Sequence, residues 1–127
     1  QSNPFEAIEK YITAIRQRDT KALELLLCDD ITFFADGGDK INVVKKVCAG
    51  INDVLNLVVF IFHKFNADSE VAYSIINHQP ALLYFDNGNL KTCQVFDISA
   101  KDKKIMRINT ILDPGKLKAL DSIKIRR

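Results

Sequence analysis

Ala81-Leu82-Leu83-Tyr84-Phe85-Asp86-Asn87-Gly88-Asn89-Leu90 is the stretch whose reading decides the fold class. An unbroken apolar run, Ala81 to Phe85, meets Asp86-Asn87-Gly88-Asn89 and then a second run from Leu90 to Ile98. Asn-Gly readily takes the left-handed backbone of a two-residue hairpin, so the two runs read as paired antiparallel strands. Outward from this hairpin, Glu70 to Asn77 reads as the strand before it, closed by the turn Asn77-His78-Gln79-Pro80. Lys104 to Leu112 reads as the strand after it, beyond the polar turn Lys101-Asp102-Lys103. Four strands in succession make an antiparallel meander.

The first half has a different period. From Pro4 to Arg18, Phe5, Ile8, Ile12 and Ile15 recur at three- and four-residue intervals, which predicts a helix with one apolar stripe. Asn3 stands as its N-cap and Pro4 as its first residue. Asp19 caps a second helix, with Ala22, Leu23, Leu26 and Leu27 turned inward and Asp29-Asp30 at its end. Ile31 to Ala35 is a short strand, and Ile41 to Val47 reads as its return, with Lys45 and Lys46 facing water. A third helix runs from about Ala49 to Lys64, apolar on more than one face and therefore well buried. A short terminal helix opens at Asp113-Pro114, with Leu117 and Leu120 as its apolar contacts. Helices first and a meander second predict an α+β fold, with the helices packed on one face of a curved antiparallel sheet.

The chain has 127 residues, which fits one domain with a core of its own. Its 47% hydrophobic and 27% charged residues are ordinary for a globular protein. Cys28, Cys48 and Cys93 are widely spaced, with no Cys-x-x-Cys or Cys/His cluster, so neither a zinc site nor a disulfide framework is expected. Unpaired thiols of this kind suit a reducing cytoplasm. Val54 to Phe62 is too short to span a bilayer, and no membrane association is expected. Gln1-Ser2-Asn3-Pro4 lacks an initiator methionine and reads as the start of a piece cut from a longer protein. Net charge is +2, but Lys101 to Arg127 holds nine Lys/Arg against three Asp/Glu. Such a bias reads first as a solvated face.

Chemistry-bearing motifs are few. No nucleophile elbow, phosphate-binding glycine loop or His-Glu-x-x-His occurs, and no cofactor is expected. His63 lies near the end of the third helix and reads as structural; His78 lies in a turn. A His/Asp pair for acid–base work needs His78 to meet Asp36 or Asp97, which spacing alone does not establish. A sheet closed by helices can hold a pocket, for which the wall candidates are Phe33, Phe60, Tyr73, His78, Tyr84, Phe96 and Met106. Asp36-Gly37-Gly38-Asp39-Lys40 follows the first strand and reads as a hairpin turn or as a contact loop in which bare backbone approaches a partner.

Three segments together resemble one family. Asp36-Gly37-Gly38-Asp39-Lys40 resembles its Asp-Gly-Gly-Gly-Lys signature, with Asp39 in place of the third glycine. Asn77-His78-Gln79-Pro80-Ala81 resembles its Asn-Gly-x-Pro-Ala/Gly turn, with His78 in place of glycine. Asp113-Pro114-Gly115-Lys116-Leu117 resembles its Asn-Pro-x-Lys-Leu, with Asp113 in place of asparagine. The family is the SnoaL-like domain at the C-terminus of extracytoplasmic-function RNA polymerase sigma factors, within the cone-shaped, cystatin-like, nuclear-transport-factor-two-like superfamily. The resemblance implies one SnoaL-like domain over residues 1–127. It implies a cytoplasmic, noncatalytic regulator that docks on the sigma regions of its own protein, acts indirectly on RNA polymerase and can sense a small apolar ligand. It assigns the interdomain contact to Asp36, Gly37, Gly38, Lys40, Asp113 and Lys116, and it implies pairing of two cones through their sheets as a homodimer.

Two other readings stay open. A free-standing binder, or a polyketide-cyclase- or isomerase-like enzyme of the same fold, needs a polar dyad such as Asp36 or Asp97 near Tyr73 or His78. Direct nucleic-acid binding through Lys124, Arg126 and Arg127 ranks last, because the aromatics read as core rather than as an exposed basic groove.

Overall fold

A computed structural model describes residues 3–36 and 44–111. The chain forms α1 (Glu6–Arg16), α2 (Thr20–Leu26), β1 (Leu27–Asp36), β2 (Val44–Ala49) and α3 (Ile51–Ile61), which runs on into a π-helical turn, Phe62–Asn66. Then follow β3 (Glu70–Ile76), β4 (Gln79–Asp86), β5 (Asn89–Ile98) and β6 (Ile105–Ile111). The six strands make one sheet in the order β2-β1-β6-β5-β4-β3. The expected meander β3 to β6 is present and antiparallel throughout. Beside it, β1 runs parallel to β6, so the sheet as a whole is mixed. Strand pairs β1/β2, β1/β6, β4/β5 and β5/β6 each carry a register shift. Such irregularities bend and twist strands, and here they curve the sheet around the helices.

Local chemistry explains most element ends. Asn3 Oδ1 accepts from Phe5 N at 2.9 Å in a turn ahead of the helix, but the N-cap position falls to Phe5 without a side-chain cap, so α1 begins at Glu6 and not at the expected Pro4. Asp19 Oδ1 accepts from Ala22 N at 3.1 Å and caps α2 as expected. Asp29 and Asp30 lie within β1 rather than at the end of α2. Leu27 already pairs with Ile105, and the irregularity between Leu27 and Thr32 leaves both aspartates in water while Leu27 and Ile31 are buried. Gly50, at φ 94, turns the chain from β2 into α3.

The two tight hairpins share one geometry. Asn87 and Gly88 have φ 51 and 80, and Asn77 and His78 have φ 50 and 67. Left-handed backbone at both central residues is the two-residue turn that matches strand twist.

The helices cover one face of the sheet. Phe5 just ahead of α1, Ile8, Tyr11, Ile12 and Ile15 of α1, Leu23 of α2 and Val54, Leu55 and Val58 of α3 pack on Phe33, Leu82, Tyr84, Phe96 and Ile108. Alternate residues of the same strands, Ala72, Ala81, Leu83, Cys93 and Val95, form a second cluster on the other face. Among the described residues no helix is long and apolar enough to cross a membrane. The expected terminal helix at Asp113-Pro114, with Leu117 and Leu120, lies outside the described residues.

Candidate ligand cavity

The helix-facing layer is filled at one end and open at the other. At the filled end, under α1, Tyr11 meets Phe96 edge-on, with ring centroids 4.9 Å apart. Tyr84 donates its hydroxyl to Gln94 Oε1 at 2.8 Å, and Gln94 Nε2 donates to Thr110 Oγ1 at 3.3 Å. Tyr11 also hydrogen-bonds Gln94. Burial pushes both phenols well above the ordinary tyrosine range, and in Tyr11 the hydrogen bond to Gln94 opposes that rise. Both tyrosines are therefore neutral members of a satisfied polar chain.

Under α3 the packing stops short. A cavity of about 410 Å³ is lined by Phe33 and Ala35 of β1, Val47 of β2, Leu57 and Ile61 of α3, Phe65 and Asn66 of the π turn, Lys91 and Thr92 of β5 and Thr110 of β6. Thr110 is thus the link between the polar chain and the cavity wall.

The π turn shapes this end. Leu55, Val58, Phe62 and Asn66 follow one another at three- and four-residue steps, so the buried stripe of α3 ends on a polar side chain. Asn66 is 2% exposed, and among the described residues its Oδ1 has no hydrogen-bond partner. An unpaired buried acceptor loses its hydration without compensation, which costs roughly 1–3 kcal/mol. Single π turns inserted into helices occur frequently at functional sites.

The turn is tied down from both sides. His63 Nε2 donates to Ile15 O at 2.8 Å, joining it to the end of α1. Lys91 Nζ donates to Phe65 O at 2.7 Å and pairs with Asp86 Oδ2 at 3.0 Å. Ser69 Oγ donates to Asp86 Oδ1 at 2.7 Å. The hydrogen bonds from Ser69 and Lys91 hold the Asp86 carboxyl below the usual carboxylate range. A more open cleft of about 530 Å³ lies on the far side of this turn, lined by His63, Lys64, Asp68, Glu70, Asp86 and Lys91 among others. Its Lys91 and Asp86 neutralise each other, and it lacks the apolar walls of the inner cavity.

The residues singled out from the sequence do not converge on one pocket. Phe33 lines the cavity. Tyr84 and Phe96 are sealed in the core. Tyr73 is half-buried and stacks on Phe5, with centroids 5.6 Å apart. Phe60 is 57% exposed on the outer side of α3, Met106 is 38% exposed, and His78 is exposed at the β3–β4 turn. Phe60, His78 and Met106 therefore stand apart from the cavity, because helical and strand alternation turns the first and last outward and the hairpin puts His78 at a tip. Asp97 follows the buried Phe96 and pairs in register with Arg107, on the face away from the helices. No His/Asp dyad forms between His78 and Asp97. Asp36 ends β1, with Val44 and Ile111 as its register partners. Gly37, Gly38, Lys40, Asp113 and Lys116 lie outside the described residues. The sequence reading did not single out Asn66, Thr92, Thr110 or Lys91. For Asn66 the signal was there: a polar residue in phase with Leu55, Val58 and Phe62. Among the described residues no group of three His, Cys, Asp or Glu could hold a metal ion.

Neither a protein-family model nor a curated protein matches the sequence. Solved structures do resemble it. An extracytoplasmic-function sigma factor, SigJ of Mycobacterium tuberculosis, superposes with TM-score 0.62 at 16% identity, over 93% of this chain and 45% of that one. A protein described as a SnoaL-like polyketide cyclase, from Shewanella putrefaciens, gives 0.59 at 12% identity, over 94% and 85% of the two chains. A cystatin-fold protein from Novosphingobium aromaticivorans gives 0.58 at 14% identity, over 87% and 99%. The fold is thus the SnoaL-like, cystatin-like fold of the nuclear-transport-factor-two-like proteins. A protein described as a polyketide cyclase and a sigma factor share it, so fold alone does not assign an activity.

Proposed function

We propose that this chain is a noncatalytic regulatory module that takes a small apolar ligand under α3 and docks on the helical regions of a sigma-factor-like transcription protein. The observation that carries the reading is the cavity lining. Phe33, Ala35, Val47, Leu57, Ile61 and Phe65 supply apolar walls. Among the described residues that line it, Lys91 alone is ionisable, and it is engaged by Asp86 and Phe65 O. Such a site favours desolvation of an apolar guest over proton transfer.

Support for the docking half is separate. The sigma factor matched above contains a comparable fold within a chain more than twice as long as the matched part. Asp36 and Ile111 are register partners, so residues 37–43 and 112–127 attach at neighbouring strands. A shared contact surface of Asp36, Gly37, Gly38, Lys40, Asp113 and Lys116 needs that proximity.

Each half has its own test. A bicyclic aromatic probe should bind the wild-type chain in a fluorescence titration, and Leu57→Trp, which fills the cavity, should keep the fold and lose the probe. Equal binding by Leu57→Trp would remove the cavity from the account. The reading frame upstream of Gln1 should encode two helical regions. Expressed separately, those regions should bind this chain and lose affinity on the Lys40→Glu, Lys116→Glu double change. A natural protein that begins near Gln1 would overturn the docking half and favour a free-standing binder.

A further inference from the structure

We infer that residues 112–127 fold back as an amphipathic helix across the face of the meander that lies away from α1, α2 and α3, and that this face is thereby closed to a second copy of the chain. The inference is independent of the cavity and of the docking contact proposed above. On that face Ala81, Leu83 and Cys93 are 0% exposed and Phe85 is 2% exposed. They belong to a cluster to which no described helix contributes a residue. Lateral neighbours in a sheet flank a side chain but leave its tip open, so enclosing a leucine or a phenylalanine takes a second layer. These exposures are those of a single chain, so the covering layer is intramolecular.

Reach selects the segment. Residues 37–43 are anchored at both ends, because Asp36 pairs with Val44. Three residues out and three back extend roughly 10 Å. In the sheet β1 and β4 stand three strand spacings apart, about 14 Å, so that loop falls short of the cluster. Residues 112–127 instead leave from Ile111, which itself packs against the cluster. A helix from Pro114 to Arg126 is roughly 20 Å long, enough to cross β5, β4 and β3. The sequence supplies its start: Asp113 as N-cap, Pro114 as first helical residue, and Leu112 and Leu117 at the two positions of a hydrophobic staple. Leu117, Leu120 and Ile123 recur at three-residue steps and make its apolar stripe, which leaves Lys118, Ser122 and Arg126 for water.

Cys93 reports on the cover. It sits in the enclosed cluster, and burial pushes its thiol up to about 12, whereas Cys28 and Cys48 are half-buried and lie outside the cluster. Alkylation by iodoacetamide, located by mass spectrometry, should be slowest at Cys93 in the native chain. The Leu117→Asp, Leu120→Asp double change should speed Cys93 at least about tenfold and leave Cys28 and Cys48 within about twofold. Unfolding would speed all three, so the pattern separates release of the segment from loss of the fold. Unchanged Cys93 alkylation in the folded double variant would overturn the inference. Methyl NOEs from Leu117 and Leu120 to Leu83 and Val95 in the unsubstituted chain need no variant; they should be present, and their absence would overturn it too. A wild-type dimer whose Cys93 becomes reactive on dilution would assign the cover to a second copy, with the same consequence.

Discussion

The two ends of the helix-facing layer use polar side chains in opposite ways. Under α1, Tyr11, Tyr84, Gln94 and Thr110 are buried in a chain of hydrogen bonds among themselves. Under α3, Asn66 is equally buried beside the cavity, yet among the described residues its oxygen has no partner. The filled end is a core whose polar groups fix one packing arrangement. The open end leaves an acceptor unpaired next to a cavity. Burial alone does not distinguish these polar residues; completion of their hydrogen bonds does.

If that contrast holds, substitutions at the two ends should differ in sign. Gln94→Leu should have the largest effect, because it strands the Tyr84 hydroxyl and also removes the partner of Tyr11 and Thr110. Chemical denaturation should show a loss of about 2–3 kcal/mol. Tyr84→Phe, which removes one donor and leaves Gln94 to other partners, should cost about 1 kcal/mol in the same assay. Asn66→Leu should cost nothing and add up to about 1 kcal/mol, since it removes an unsatisfied acceptor and extends the apolar stripe of α3. A loss of stability there as large as that at Gln94 would mean that the two ends are alike and Asn66 is structural.

Acid should separate the ends by a smaller margin. The Asp86 carboxyl is held below its usual value by Ser69 and Lys91, so its contribution is complete above the unfolded carboxylate range, near pH 4. It is lost as pH falls through the depressed folded value. Lys91 then loses its counter-charge, and the restraint on Phe65 O weakens. Hydrogen exchange should rise first around Phe62–Asn66 as pH falls from about 5 to 3, with β4 and β5 near Tyr84 and Gln94 still protected. Simultaneous loss of protection at both places would break the comparison.

The same contrast marks where sequence reading succeeds. Asp86-Asn87-Gly88-Asn89 was legible because the left-handed turn needs those residue types at those positions, and the observed φ values of 51 and 80 match that need. His78 was harder. It takes φ 67 without being glycine, so its turn follows from the pairing of Ile76 with Gln79 rather than from local preference. The parallel pairing of β1 with β6 joins residues more than seventy positions apart, and no local pattern encodes such a contact. The cavity draws on α3, the π turn and four strands for the same reason. The wall candidates taken from aromatic and sulfur side chains included Phe33, which lines it, and Phe60 and Met106, which do not. Aromatic content reports core in general. The break in an apolar stripe, at Asn66, marked a residue of the cavity wall.

The central claim is that the two ends differ in purpose, and backbone-amide NMR during titration with 2-naphthol tests it most directly. The account predicts saturable shifts at Phe33, Phe65, Asn66, Thr92 and Thr110, with Tyr11, Leu82 and Phe96 unmoved. Shifts centred on Tyr11, Leu82 and Phe96, or no shift at Asn66 at saturation, would contradict it.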